Sequence, residues 1–92
     1  MSSQMDSFFR AVNAIQDEVI NVALIKKEKY DNIEELVTDT TYEMTYKIFE
    51  LIDGLYNRSV KYSVTEINSN EVINDGIDFH DLCEDYLKCS NK

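Results

Sequence analysis

Apolar residues in the first third of the chain follow helical spacing. They recur every three or four positions, as expected for one face of a helix. These positions are Phe8, Val12, Ile15, Val19 and Val22. Four more apolar residues widen this surface beyond a single stripe: Phe9, Ile20, Leu24 and Ile25. A helix this apolar is usually covered on more than one side, so the pattern indicates a second subunit or a bound partner.

A second helix is predicted after the polar stretch KKEKYDN. Asp31 is the expected N-cap, with Glu34 in the capping-box position. One apolar face consists of Ile33, Val37, Met44, Ile48 and Leu51. Gly54 is the expected end, because glycine accepts the left-handed conformation there. Two helices joined by so short a turn predict an antiparallel pair.

The period changes to two after Gly54. Val60, Tyr62 and Val64 alternate with polar residues, which is typical of a half-buried strand. A turn at residues 68–70 and a second short strand at residues 71–73 complete a predicted β-hairpin. Because an isolated two-stranded hairpin is marginal in water, it is expected to rest on the helix pair or to pair its edge with another subunit.

A last helix is predicted after the turn at Gly76. Asp78 is the expected cap, and the buried face is formed by Phe79, Leu82, Cys83, Tyr86 and Leu87. The order α-α-β-β-α predicts an α+β fold. There is no proline, and no repeat or linker interrupts the chain, so residues 1–92 are predicted to form a single domain.

The charge of the chain is unevenly distributed. The net charge is -9, yet residues 1–30 carry four acidic and four basic side chains and are neutral. All the excess negative charge therefore lies in residues 31–92. Such a surface repels nucleic acid and anionic membranes, so any partner recruited by charge is expected to be a basic protein. The alternative is that the charge serves solubility alone.

The cysteines and the N-terminus predict the compartment. Cys83 and Cys89 are six positions apart and would point about 240° apart on one helix, too far around to bridge each other. The N-terminal sequence lacks the basic and apolar regions of a secretory signal, and no apolar run approaches the roughly 18 residues of a membrane span. A cytoplasmic location is therefore predicted.

Acidic and tyrosine side chains share one side of the second predicted helix. Five carboxylates fall within an arc of roughly 80°, opposite the apolar face. Carboxylates attract a basic partner, and tyrosines are common at recognition surfaces. The predicted partner-binding residues are Glu35, Asp39, Tyr42, Glu43, Tyr46, Glu50 and Asp53. A solvated helix face is the alternative, and a row of carboxylates that imitates the phosphates of DNA is a third interpretation.

His80 is the single histidine and stands among several carboxylates. His80 and Glu84 could both contact one metal ion, but a zinc site needs about three protein ligands or more. The calcium-loop pattern also fails around Gly76, since Ile73 and Leu82 occupy ligand positions. No nucleophile motif or phosphate-binding loop occurs. A partly exposed histidine in a first helical turn is therefore expected, with no metal, no cofactor and no enzymatic activity.

Two segments of the second half resemble a known group of proteins. MTYKIFELIDGLY and VINDGIDFHDLCEDYL are similar to segments of small acidic proteins of low-GC bacteria and their phages or prophages. The shared positions are Ile52-Asp53-Gly54, Ile73-Asn74, Gly76, His80-Asp81 and Tyr86-Leu87. Asp75 departs from the pattern. The group has no established activity, so the resemblance implies no functional residue.

The sequence as a whole predicts a non-catalytic protein-interaction module. It would bind a basic partner through the acidic and tyrosine side of the second helix, and its sharpest form is a phage-type inhibitor of a host nucleic-acid enzyme. The alternative is a structural or accessory protein that self-associates as a homodimer, through the first helix or the hairpin. No direct contact with nucleic acid or membrane is expected.

Overall fold

Two long helices dominate the fold. The computed structural model describes residues 3–56 and 60–90. Helix α1 spans Ser3–Lys26 and helix α2 spans Ile33–Asp53, with a short 3-10 turn over Lys27–Lys29 between them. The chain therefore combines two helices close to the predicted positions with a connection short enough to fold α2 back along α1.

Contacts along the two helices show that they run antiparallel. Val22 near the end of α1 and Leu36 near the start of α2 line the same groove. Towards the other end of the pair, Phe8 of α1 and Ile52 of α2 line a second groove. Lys47 Nζ also lies 3.3 Å from Glu18 Oε2, joining the two helices at the surface.

The ends of α2 are defined by local hydrogen bonds. The side chain of Asn32 accepts the backbone N–H of Glu35 at 2.9 Å, so Asn32 is the N-cap and the prediction of Asp31 was wrong by one residue. The extended backbone of Asn32 (φ -147°, ψ 160°) turns its amide oxygen towards that N–H. At the other end Gly54 has a φ of 91°, and the Leu55 N–H donates to the carbonyl of Glu50 at 2.9 Å. This confirms Gly54 as the terminator.

The apolar core lies between α1 and α2. Ile15, Val19 and Leu51 are buried at its centre. Partly buried residues packed around them are Phe8, Ala11, Val12, Met44, Ile48 and Tyr62. The prediction fails for Ile33 and Val37, which are both exposed. The end of α1 instead lies beside Leu36 and Thr40, so the first two turns of α2 present a different side to α1.

A short antiparallel hairpin follows the helix pair. Strand β1 covers Thr65–Glu66 and strand β2 covers Glu71–Val72, with Thr65 opposite Val72 and Glu66 opposite Glu71. The hairpin and its turn are confirmed, but the strand predicted at residues 60–64 is not part of the ladder. The Tyr62 N–H instead donates to the carbonyl of Ile52 at 2.9 Å, so this N–H pairs with the end of α2 and not with a strand.

Buried Asn74 supports the extended segment before the hairpin. Its side-chain oxygen accepts the Val64 N–H at 2.9 Å, and its side-chain nitrogen donates to the Tyr62 carbonyl at 2.8 Å. The Ile73 N–H donates to the Val64 carbonyl at 2.8 Å. A buried backbone group needs a partner, and here one side chain supplies partners that a longer ladder would have supplied.

The C-terminal helical segment is shorter than predicted. A 3-10 turn covers Phe79–Leu82 and helix α3 covers only Cys83–Tyr86. Cys83 is buried as predicted, whereas Tyr86 and Leu87 are exposed. Phe79 packs edge-on against Phe49 of α2, with ring centroids 5.3 Å apart. The segment therefore contacts α2 mainly through its first turn. Helix α3 ends at Tyr86, so Leu87 is not carried onto the same surface.

Candidate functional site

The five carboxylates of the predicted binding site on α2 differ in their exposure to solvent. Glu35 is exposed, whereas Glu43 and Glu50 are half-buried. Asp39 is half-buried and Asp53 is buried. The five carboxylates therefore do not form one uniform surface, although they lie on one side of the helix in projection.

Asp53 lies inside the protein, where its carboxylate holds the start of the C-terminal segment. The side chain is 0% exposed. One carboxylate oxygen accepts the Phe79 N–H at 2.9 Å, and the other accepts the His80 N–H at 2.8 Å. Asp78, the predicted cap, makes no capping hydrogen bond with its side chain. Asp53 instead satisfies these helix-terminal donors from 26 and 27 residues away in the chain, and this position removes it from any partner-binding surface.

The His80 ring completes this arrangement. Nδ1 lies 2.7 Å from Asp53 Oδ2, and Nε2 lies 3.2 Å from Asp81 Oδ1. The side chain is 14% exposed and lies in the first turn of the C-terminal segment, at the low end of the partial exposure that the sequence predicted. An imidazolium donates from both nitrogens and so satisfies both carboxylates, whereas a neutral ring carries one N–H.

The carboxylates raise the pKa of His80 above its usual range. The hydrogen bond with Asp53 is the largest cause, and burial opposes it by lowering the pKa. The negative charges of Asp81, Asp53 and Asp78 add to the rise. The protonated form is therefore favoured, which suits a structural ion pair and makes the ring a weaker general base near neutral pH.

Tyr42 and Tyr46 form a stacked pair on α2, one turn apart. Their ring centroids lie 6.1 Å apart, with an interplanar angle of 25°. Tyr46 also meets the His80 ring edge-on at 5.6 Å. The buried Asp53–His80 pair thus stands directly beside the tyrosines and fixes the C-terminal segment against them.

Carboxylates from two parts of the chain raise the pKa values of this tyrosine pair. Burial raises the pKa of the Tyr46 hydroxyl, and the charges of Glu50, Asp81, Cys83 and Glu43 raise it further. Burial likewise raises the pKa of Tyr42, and Glu84 is among the charges that add to the rise. Asp81 and Glu84 belong to the C-terminal segment, so sequence reasoning confined to α2 missed both.

Asp39 binds the C-terminal segment at Ser90. Its carboxylate accepts the Ser90 N–H at 2.7 Å and the Ser90 hydroxyl at 2.6 Å. The hydroxyl of Tyr30 donates to it at 2.9 Å. These hydrogen bonds, with the Ser90 hydroxyl as the largest cause, lower the pKa of Asp39 to about 2. The donors occupy much of the carboxylate, so less of it is left for a partner.

Glu43 is paired within the protein. Lys47 Nζ lies 3.5 Å from Glu43 Oε2 and 3.3 Å from Glu18 Oε2. The Glu43 side chain is nevertheless 46% exposed, and an exposed ion pair of this kind is weak. Glu43 can therefore exchange Lys47 for another cation at small cost.

The cysteine near this site is a poor nucleophile. Cys83 is buried, and its sulfur lies 3.9 Å from the carbonyl oxygen of Phe79. Burial raises the pKa of its thiol, as do the charges of Asp53 and Glu50, so the reactive thiolate is disfavoured. Among residues 3–56 and 60–90, no cluster of three or more His, Cys, Asp or Glu side chains could hold a metal ion.

The sequence did contain a signal for the missed pair. Asp53 belongs to the Ile52-Asp53-Gly54 stretch and His80 to the His80-Asp81 stretch, and both stretches carry charge. The fold places these two stretches in direct contact. Two charged motifs that lie far apart in sequence were an indication of pairing, but their spacing alone could not show it.

Comparisons with known proteins add no relative. Neither models of protein families, nor curated proteins, nor solved structures gave a match to this chain. In the part of the chain that the structure describes, none of the helices is long and apolar enough to cross a membrane.

Proposed function

We propose that this protein is a non-catalytic interaction module that binds a basic protein through a surface centred on Tyr42 and Tyr46. This surface, the acidic-aromatic face, consists of Tyr42, Tyr46, Glu43, Glu50, Asp81 and Glu84. It retains the centre of the predicted site and omits Glu35, hydrogen-bonded Asp39 and buried Asp53. It gains two carboxylates from the C-terminal segment.

The single observation that carries the proposal is the stacked tyrosine pair, with the His80–Asp81 ion pair packed against Tyr46. The pair is half-buried and stacked, so little side-chain entropy remains to be lost when a partner binds. Arginine and lysine pair with carboxylates and also pack on aromatic rings. The combination therefore suits a basic side chain that enters between the carboxylates and lies against a tyrosine.

The charge of the surroundings supports the same partner. The excess negative charge lies in residues 31–92, and these include the whole acidic-aromatic face. A field of this sign speeds encounter with a basic protein and repels nucleic acid. The sharpest version of the proposal is that the partner is a nucleic-acid enzyme of the host, whose basic groove this face would occupy.

Charge reversal with a matched control tests the face. Glu43→Lys combined with Glu50→Lys should abolish the capture of basic proteins from a bacterial lysate by the immobilised chain. Glu71→Lys combined with Asp75→Lys makes the same change in net charge at the exposed hairpin and should leave that capture largely intact. Equal loss in both variants would show that net charge, and not this face, directs binding.

A defined probe makes the test independent of the lysate. In an NMR titration with a short arginine-rich peptide, the largest shifts should fall on Tyr42, Tyr46 and Glu84, and raising the salt concentration should weaken them. Tyr46→Ala should reduce the peptide affinity at least about tenfold if the ring contributes contact area and a cation–π interaction. Shifts spread evenly over all acidic residues would refute a localised site.

A further inference from the structure

Helix α1 carries a row of exposed residues outside its core face. The row consists of Met5, Phe9, Asn13, Gln16, Ile20 and Leu24, which are all exposed. At 100° per residue they fall within an arc of about 100°, centred about 110° around the helix from the residues that face α2. Phe9 is 62% exposed, Ile20 46% and Leu24 58%. We call these six residues the α1 row.

The spacing of the α1 row is a palindrome. Its intervals are four, four, three, four and four residues, and α1 runs from Ser3 to Lys26, so the row is symmetric about the middle of its helix. The chemistry of these six residues follows the same symmetry, with two apolar residues, two amides and two apolar residues. Asp6 and Ala23 lie at the edges of the same arc, and Asp6 is paired with Arg10. In a two-fold contact between antiparallel copies of the helix, this spacing places apolar residues opposite apolar residues and amides opposite amides.

We propose that two copies of this chain associate through the α1 row, with the two α1 helices antiparallel about a two-fold axis between residues 14 and 15. Phe9 then meets Ile20 of the second copy, and Met5 meets its Leu24. Asn13 meets Gln16, and their amides can donate and accept reciprocally. A polar pair at the centre of an apolar row sets the register of paired helices.

The charges flanking the α1 row agree with this arrangement. Arg10 and Asp17 lie on the same flank, about 90° and 70° around the helix from the centre of the α1 row. The two-fold axis places Arg10 of one copy about 3 Å along the helix axis from Asp17 of the other. Arg10 contacts Asp6 of its own helix at 2.7 Å, an exposed pair that a second carboxylate can extend at small cost.

The distribution of charge favours self-association through α1 over contact through the acidic residues 31–92. Two chains of net charge -9 repel each other, but residues 1–30 carry equal numbers of acidic and basic side chains. Helix α1 itself carries three acidic and two basic side chains, so contact through α1 brings nearly neutral surfaces together and keeps the acidic parts apart. The proposal does not depend on the proposed function, because the α1 row shares no residue with the acidic-aromatic face.

The size of the contact predicts a weak dimer. Burying a Leu or Phe side chain is worth about 1.5–3 kcal/mol at about 25 cal/mol per Å², so each removes roughly 60–120 Å² from water. Eight such side chains and four amides in the two copies give a total of roughly 1,000 Å², at the small end of specific interfaces. Because even interfaces of about 1,600 Å² reach only micromolar affinity at the weak end, we expect half of the chains to be dimeric at about 10–100 μM.

Sedimentation equilibrium with matched variants of α1 tests the proposal. The wild-type protein should approach twice the 10.7 kDa mass of one chain at several hundred micromolar. Ile20→Glu, at a position within about 10° of the middle of the α1 row around the helix, should raise the dissociation constant at least about tenfold. Ile25→Glu makes the same change at a residue that is 76% exposed and lies about 150° away from the row, and it should leave the dissociation constant within about twofold of wild type.

The outcomes separate the two proposals. A wild-type monomer at several hundred micromolar, or an Ile20→Glu variant that dimerises like wild type, would overturn the dimer. Circular dichroism should show unchanged helix content in both variants, because both residues are exposed. Raising the salt concentration should leave the apolar dimer in place and should weaken capture by the acidic-aromatic face, so one proposal can fail while the other stands.

Discussion

The helix pair and the C-terminal part of the chain are held together by different interactions. Between α1 and α2, buried Ile15, Val19 and Leu51 pack with a surrounding layer of half-buried apolar residues. From residue 60 onward, regular structure is short, and two strands of two residues each provide little backbone pairing. There, single polar side chains bind the backbone instead, with Asp53 and Asn74 buried and Asp39 half-buried.

This difference shows how a small chain can order a segment that lacks regular structure. A helix satisfies its own backbone groups, so its side chains are free to form the core. An irregular segment next to the core must find partners for buried N–H and C=O groups elsewhere. Asp53 and Asn74 provide two such contacts each to the backbone, so we expect stability to be concentrated in few residues there and distributed over many in the helix pair.

The largest effect is expected for Asp53→Ala. It leaves the backbone donors of Phe79 and His80 without partners and removes the carboxylate beside the His80 ring, so we expect a loss of about 4 kcal/mol in the free energy of unfolding. Urea denaturation followed by circular dichroism measures it. Asp75→Ala removes an exposed carboxylate and should cost less than about 0.5 kcal/mol. A cost below about 1.5 kcal/mol for Asp53→Ala would contradict its role as the main anchor.

The next largest effect is expected for Ile15→Ala in the helix pair. Ile15 is completely buried, so its truncation should cost about 3 kcal/mol through lost burial and the cavity left behind. Ile25→Ala on the same helix is the control, because that side chain is mainly exposed. If the two variants lost equal stability, the apolar core would not lie where the structure places it.

A smaller loss is expected for Asn74→Ala. The change removes the partners of the Val64 N–H and the Tyr62 carbonyl, for a loss of about 2 kcal/mol. Hydrogen exchange should speed up at Val64 more than at amides within α1, because the opened segment is local. Asn68→Ala, at an exposed position in the hairpin turn, provides the comparison and should change exchange at Val64 little.

The pH dependence of stability tests the His80 contacts. Because the pKa of His80 is raised in the folded protein, its stabilising contribution is complete below the unfolded pKa of about 6.5. That contribution is lost as the pH rises through the folded value. The free energy of unfolding should therefore be higher at pH 6 than at pH 9, and His80→Gln should reduce this difference. An unchanged pH dependence in His80→Gln would assign it to other groups.

The smallest effect is expected at the Ser90 contact with Asp39. Ser90→Ala removes the hydroxyl donor but keeps the N–H donor, so the expected loss is about 1 kcal/mol or less. The pKa of Asp39 is lowered from 3.8 to about 2, so its contribution is present above pH 3.8 and is lost as the pH falls through about 2. In Ser90→Ala the Asp39 carboxyl, followed by NMR, should titrate at a higher pH than in wild type.

Local patterns in the sequence determined the two long helices, the position of the hairpin turn and the sign of the charge. The three- and four-residue spacing in α1 and α2 reflects the helix itself, which needs no information from the rest of the chain. Gly54 ends α2 because a positive φ is easy for glycine. The hairpin turn at residues 68–70 followed from its polar residues, and the excess of acidic side chains after residue 30 was directly countable.

Only the tertiary structure decided which carboxylates are buried and which remain at the surface. Asp53 and Glu50 are both acidic residues in the last turn of α2, yet one is buried beside His80 and the other lies near Tyr46 on the acidic-aromatic face. Helical projection cannot separate them, because burial depends on where residues 79–84 return to α2. The same return adds Asp81 and Glu84 to the face and lets Asp53 replace Asp78 as the cap. Contacts between residues more than 25 positions apart leave no period in the sequence, and for that reason their geometry appeared only with the fold.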